Sequence, residues 1–96
     1  RAKAEIAGNL DYESFVLAND EPCVLAAERA IRQAGLTPIR AIANGGVDAN
    51  WMVQHGIPTV TIGAGQLNQH MVTEALDVAK FLAACRIGLH LATAEE

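Results

Sequence analysis

The residues with chemistry to offer fall in one stretch, NGGVDANWMVQHGIPTVTIGAGQLNQH, positions 44–70. Gly45 and Gly46 sit between the end of a strand-like run and the start of a short helix-like one. With no Cβ in the way, the amides there can receive a ligand carboxylate, a carbonyl or a tetrahedral oxyanion at close range. The same pair also makes a tight strand-to-helix turn with no ligand at all, and position alone does not choose between the two. Phosphate binding fits poorly, because neither a G-x-G-x-x-G fingerprint nor a loop ending in Lys–Ser/Thr is present. Asn44 and Asp48 flank the pair. Asp48 suits the first turn of a helix, where the dipole favours an acid, and equally a supporting contact to the glycine turn.

His70 closes the small-residue run GAGQLNQ, beyond a strand and just before a helix. A neutral imidazole in such a place suits a metal ligand; an exposed or core histidine is the ordinary alternative. Glu74 lies four residues on. It can hydrogen-bond the ring nitrogen that faces away from a metal, or serve the first turn of the following helix. Trp51 reads as core, His55 as a partner for the carboxyl end of a short helix, and His90 as a surface or interdomain residue. One imidazole does not hold zinc, which takes about four ligands, usually at least three from protein. The sequence has no HExxH, no CxxC, no second His at a ligand spacing from His70, and no Gly-x-Ser-x-Gly elbow. If His70 binds a metal, its co-ligands come from elsewhere.

These residues need elements to carry them. YESFVL, residues 12–17, alternates as a strand does. Asn19 or Asp20 then caps a helix with Pro22 in its first turn. Val24, Leu25, Ala27, Ala30, Ile31 and Ala34 form that helix's apolar stripe, with Glu28, Arg29 and Arg32 toward water and Gly35 at its end. IRAIA (39–43) and TVTIG (59–63) read as strands around a short helix at 48–54 that Gly56 and Pro58 close. The spacing between them favours a right-handed crossover and parallel pairing. A long helix follows from Glu74 to Ala92, apolar on more than one face and so expecting cover on both sides. The order is α/β. In open sheets of that class ligands gather beyond the carboxyl ends of the strands, where both the Asn44–Asp48 and the Gly63–His70 loops fall.

The 96 residues suffice for one small domain with a modest core. A net charge of −4 and a pI near 5.2, with seven scattered basic residues, argue against nucleic-acid binding, which needs a basic stripe. Half the chain is hydrophobic, 51%, but the most apolar stretch is broken by Arg86 and His90 and is too short to span a bilayer. Cys23 and Cys85 read as buried free thiols, which with the lack of a basic-then-apolar leader suggests a cytoplasmic protein. The chain opens on Arg1 and reads as the middle of something larger.

The ordered stretch NGGVDANWMVQHGIPTVTIGAGQLNQHMVTE resembles the C-terminal signature of the co-catalytic zinc exopeptidases. These include peptidase T, glutamate carboxypeptidase, aminoacylase and succinyl-diaminopimelate desuccinylase, and the resemblance is closest to the peptidase T-like branch. FVLANDEPCVLAAERAIRQAGLTPI resembles the passage where that family's lid domain returns to its catalytic domain. The resemblance implies the C-terminal segment of an α/β catalytic domain, with helices packed on a largely parallel sheet. Residues 1–19 would end the lid (dimerisation) domain and its return linker, and 20–96 would belong to the catalytic domain.

By position, His70 matches the family's last metal ligand and Glu74 the acid that follows it. Gly45 and Gly46 match the turn lining the substrate pocket, with Asn44 and Asp48 beside it. Met71 stands where a small hydroxylated residue usually follows the His. The family's His-x-Asp motif, bridging aspartate, paired glutamates (one the general base) and remaining ligand would all lie upstream of Arg1. The resemblance therefore implies two Zn2+ per complete site, a short peptide as substrate, the remainder of the catalytic domain as partner, and room for a homodimer. These 96 residues by themselves are expected to be inactive. An N-acyl amino acid amidohydrolase and a non-catalytic α/β interaction module remain the alternatives.

Overall fold

The computed structural model describes residues 1–94. In chain order it contains α1 (Pro22–Gln33), α2 (Asp48–Gln54), β1 (Gln66–Leu67), β2 (Ala75–Leu76) and α3 (Val78–Ala92). Pro22 opens α1 as expected, since its missing N–H leaves no orphan donor there. Neither Asn19 nor Asp20 caps the helix. The cap is Glu21, without a side-chain bond, and the two residues before it turn the chain so that the Glu21 amide donates to the Ala18 carbonyl at 3.1 Å. Both stand too early to reach the free amides of the first turn.

The first two helices end alike. After α1, Gly35 takes φ +80°, its amide donates to Arg32 O (2.9 Å) and Leu36 N donates to Ile31 O (3.1 Å). After α2, Gly56 takes φ +80°, its amide donates to Val53 O (3.0 Å) and Ile57 N donates to Met52 O (2.9 Å). This is the Schellman arrangement, which satisfies last-turn carbonyls and wants a residue free of a Cβ penalty in the left-handed region.

α3 begins at Val78, four residues later than the sequence suggests. Ala75 and Leu76 are instead committed to an antiparallel pair, Gln66 opposite Leu76 and Leu67 opposite Ala75. Asp77 then caps the helix, its carboxylate accepting from the Lys80 amide at 3.1 Å. Within the described residues this two-stranded pair is the whole sheet. The runs 12–17, 39–43 and 59–63, expected as strands in a largely parallel sheet, carry no ladder. A strand exists only where a neighbour takes up its amides and carbonyls, and here the three runs do not pair with one another. Val16, Ile39 and Ile42 are accordingly 96%, 85% and 95% exposed.

α1 and α3 pack together, and the buried residues they contribute are Ala27, Ala30 and Ile87; Ala49 and Asn50 are buried on α2. α3 leaves Val78, Phe81, Leu82 and Leu89 exposed, as its broad apolar surface predicts. The accessible surface is 8193 Å², whereas folded monomers of 10.2 kDa show roughly 5,300 Å². The radius of gyration, 17.3 Å, exceeds the roughly 12.5 Å of a compact chain this long. These helices and the small sheet form an α/β segment with much of its apolar surface exposed.

Two surface expectations change. Glu28 does not simply face water: Arg40 Nε donates to its Oε1 at 2.7 Å and Arg32 Nη2 lies 3.5 Å from Oε2. The Arg40 hydrogen bond, with the charges of both arginines, holds the Glu28 carboxyl below its ordinary value. The cysteines are free, but Cys23 is half-buried and Cys85 exposed rather than buried. Cys85 lies on α3, whose outer faces carry no cover among the described residues. No described helix is long and apolar enough to cross a membrane.

Candidate functional site

The glycine turn is held by a residue that no apolar pattern in the sequence marks. Asn50, 6% exposed, accepts the Val47 amide through Oδ1 at 2.9 Å, while its own amide donates to Val47 O at 3.0 Å. Its Nδ2 donates to Glu13 O at 2.8 Å. The third residue of a helix is the one whose side chain reaches back to the cap amide. An Asn three positions after Val47 was the signal, although Glu or Gln is the commoner choice there. Asp48, at the first helical position, makes no hydrogen bond to the turn, so the supporting contact expected of it belongs to Asn50.

Gly45 has φ +121°, a conformation open chiefly to glycine. Gly46 is constrained differently, because Tyr12 lays its ring against the Cα. A Cβ there would fall 2.8 Å from ring Cδ1 and closer still to Cε1 and Cζ. Tyr12, Gly46, Val47, Asp48 and Trp51 together line an open hollow of about 390 Å³. Trp51, expected in the core, is 50% exposed. Its neighbour is His55, 6.5 Å away between ring centroids. His55 Nδ1 lies 2.7 Å from Trp51 O, the C-terminal partnership expected of that histidine. Asn44, beside the turn, is exposed and makes no side-chain hydrogen bond among the described residues.

His70 sits at the tip of the β1–β2 hairpin, exposed, with φ +66°. Asn68, two residues before it, also has positive φ, +51°. The tip is tied internally: Met71 N donates to Asn68 O (3.2 Å), Glu74 N to Met71 O (3.0 Å) and Asn68 Nδ2 to Thr73 O (3.4 Å). Non-glycine residues held in the left-handed region are uncommon, and they cluster where a side chain must be aimed. Among the described residues the imidazole has no hydrogen-bond partner. Glu74 is exposed and its carboxylate bonds neither His70 nor any other described residue; lying before β2 rather than in α3, it does not serve a helix first turn. His70 is also not among the residues lining the hollow beside Gly46. Within the described residues the structure thus brings Gly46, Asp48 and Trp51 together and leaves His70 and Glu74 on a separate projection.

No group of three or more His, Cys, Asp or Glu that could hold a metal occurs among the described residues. The donor set does not make a zinc centre. What it offers is one unpartnered imidazole on an ordered tip.

The base of that hairpin is close-packed. Gly65, φ +83°, meets the start of α3: Asp77 N donates to Gly65 O at 2.9 Å, and a Cβ on Gly65 would lie 2.8 Å from Lys80 Cβ and 2.9 Å from Asp77 O. The loop that carries His70 is therefore seated on the helix that follows it.

The model of peptidase family M20/M25/M40 matches residues 3–94. Among solved structures, the crystal structure of aminopeptidase PepT from Bacillus cereus ATCC 10987 is similar with a TM-score of 0.79 and 31% sequence identity. The match covers 86% of this chain and 22% of the PepT chain, so the chain spans about a fifth of the length of that relative. No curated protein matches.

Proposed function

The chain belongs to peptidase family M20/M25/M40, and on that premise we propose that it is the C-terminal part of the catalytic domain of a zinc-dependent exopeptidase acting on short peptides. In this reading residues 1–19 lead back from a lid domain and 20–96 join the catalytic domain. The observation that carries the proposal is His70: an exposed imidazole without a partner, held at positive φ on a hairpin whose base is packed against α3. It would supply one metal ligand. The other ligands and the general base would come from residues beyond this chain.

When bound, a zinc pair supplies Lewis acidity and an activated water. The residues in hand contribute position. Asn50 and Tyr12 fix the turn at Gly45 and Gly46, whose amides, with Asn44, would take the polar end of the peptide; Glu74 would orient His70 in the metal-bound state. The exposed faces of α3 would be covered by the rest of the domain, and two free cysteines accord with a cytoplasmic location.

The test is His70→Ala in the complete, metal-loaded protein, read by metal content as well as hydrolysis of a tripeptide. One metal equivalent and most activity should be lost. Unchanged metal content would remove His70 from the centre.

A further inference from the structure

The tie between Asn50 and Glu13 reaches beyond the turn that it braces. Residues 1–14 are exposed and carry no helix or strand. Among the described residues, one hydrogen bond joins residues 1–17 to later elements, from Asn50 Nδ2 to Glu13 O. Asn50 is also the buried polar residue of the described chain. Two adjacent residues thus meet the glycine turn by separate routes. Tyr12 lays its ring on Gly46, and Glu13 is held through the side chain whose oxygen accepts the Val47 amide.

The segment has a second anchor seven residues on from Tyr12. Arg40, fixed to Glu28 through Nε, donates from Nη2 to Asn19 O at 3.2 Å. A displacement of residues 1–11 is therefore delivered at Tyr12 and Glu13, against the turn, and is stopped at Asn19 before α1. Neither contact at the turn has a substitute: Gly46 has no side chain to replace the ring, and a buried amide is costly to leave without its partner. The segment and the turn order together, and such a linkage acts in both directions.

We propose that residues 12–19 are a strap coupling the chain before Tyr12 to the conformation of the Gly45–Gly46 turn, with Asn50 the positioning residue through which the coupling passes. This deepens the function proposed above and rests on it in one respect, that the turn takes the polar end of a peptide. The strap then sets substrate affinity and not the chemical step.

The experiment uses the complete, metal-loaded protein and two readouts, deuterium exchange of the Val47 amide and separate KM and kcat values for a tripeptide. Tyr12→Ala alters the strap and leaves Asn50 and α2 unsubstituted. Val47 should nonetheless exchange about fivefold faster, and KM should rise about fivefold with kcat held within about twofold. Asn50→Asp, measured near pH 8 so that the carboxyl is ionised, keeps an oxygen for the Val47 amide but opposes Glu13 O with a carboxylate. It should match Tyr12→Ala in both readouts. The double variant should go no further than the larger single one, because both changes cut the same linkage. Tyr12→Phe keeps the ring and should restore both readouts.

Unchanged Val47 exchange in Tyr12→Ala, or effects that multiply in the double variant, would overturn the strap. Faster exchange with KM unchanged would uphold the strap and refute the turn as the place where peptide binds, so the two readings fail separately.

Discussion

Gly65→Ala should be a strongly damaging single-methyl change. Two costs add at that position. The residue has φ +83°, which costs an alanine about 1–2 kcal/mol. The added carbon also meets backbone: Asp77 O at 2.9 Å and Phe81 N at 3.1 Å, the acceptor and donor of one hydrogen bond at the start of α3, itself 2.9 Å long. No rotamer change relieves that contact, and overpacking of this kind costs about 1–3 kcal/mol. The total is about 2–5 kcal/mol. Gly35 and Gly56 provide the control, because both have φ +80° and nothing within 4 Å of the added carbon. Gly35→Ala and Gly56→Ala should show the first cost only, about 1–2 kcal/mol. Urea denaturation of the folded protein measures the difference. With a slope of about 2 kcal/mol per M, an extra 2 kcal/mol or so moves the midpoint about 1 M lower. A Gly65→Ala midpoint no lower than those of the two controls would refute the close approach of loop and helix.

Other substitutions probe the remaining contacts. Asp77→Ala removes the cap of α3 and should cost about 1 kcal/mol, with Asp77→Ser recovering most of it; the same urea series reads both. Asn50→Ala leaves Val47 N and Glu13 O without their partner and should cost about 1–3 kcal/mol, together with faster proteolysis in the 10–17 segment. Glu28, held below its ordinary value of 4.5 by the Arg40 hydrogen bond, contributes stability that is fully present above the unfolded value and lost as pH falls through the lower folded one. Arg40→Ala should therefore flatten the acid-side decline in stability, seen by denaturation across a pH series below 4.5.

Local punctuation made α1 and α2 readable. Pro22, Gly35 and Gly56 act through their own backbone preferences, so both helices fall where the sequence puts them. Glu74 resembles a first-turn acid and draws the expected start of α3 forward, although Asp77 ahead of VAKFLAA is the better sign. The runs at 12–17, 39–43 and 59–63 have strand-like patterns, but a ladder depends on neighbours that pattern does not identify. Trp51 looked like core for a related reason: hydrophobicity says that a side chain wants cover, not that cover is at hand. The glycine turn itself was legible, whereas its brace was not. Asn50 is polar, so no apolar periodicity marks it as buried, and one of its two hydrogen bonds reaches a residue 37 positions away.

Asp77 has a consequence for motion. One residue donates its amide to Gly65, accepts the Phe81 amide on its carbonyl and accepts the Lys80 amide on its carboxylate. Opening of the hairpin base and fraying of the first turn of α3 are consequently a single event, and the amides on both sides should exchange with solvent hydrogen at a shared rate. The imidazole at the tip then inherits the steadiness of a fifteen-residue helix rather than the looseness of a surface loop.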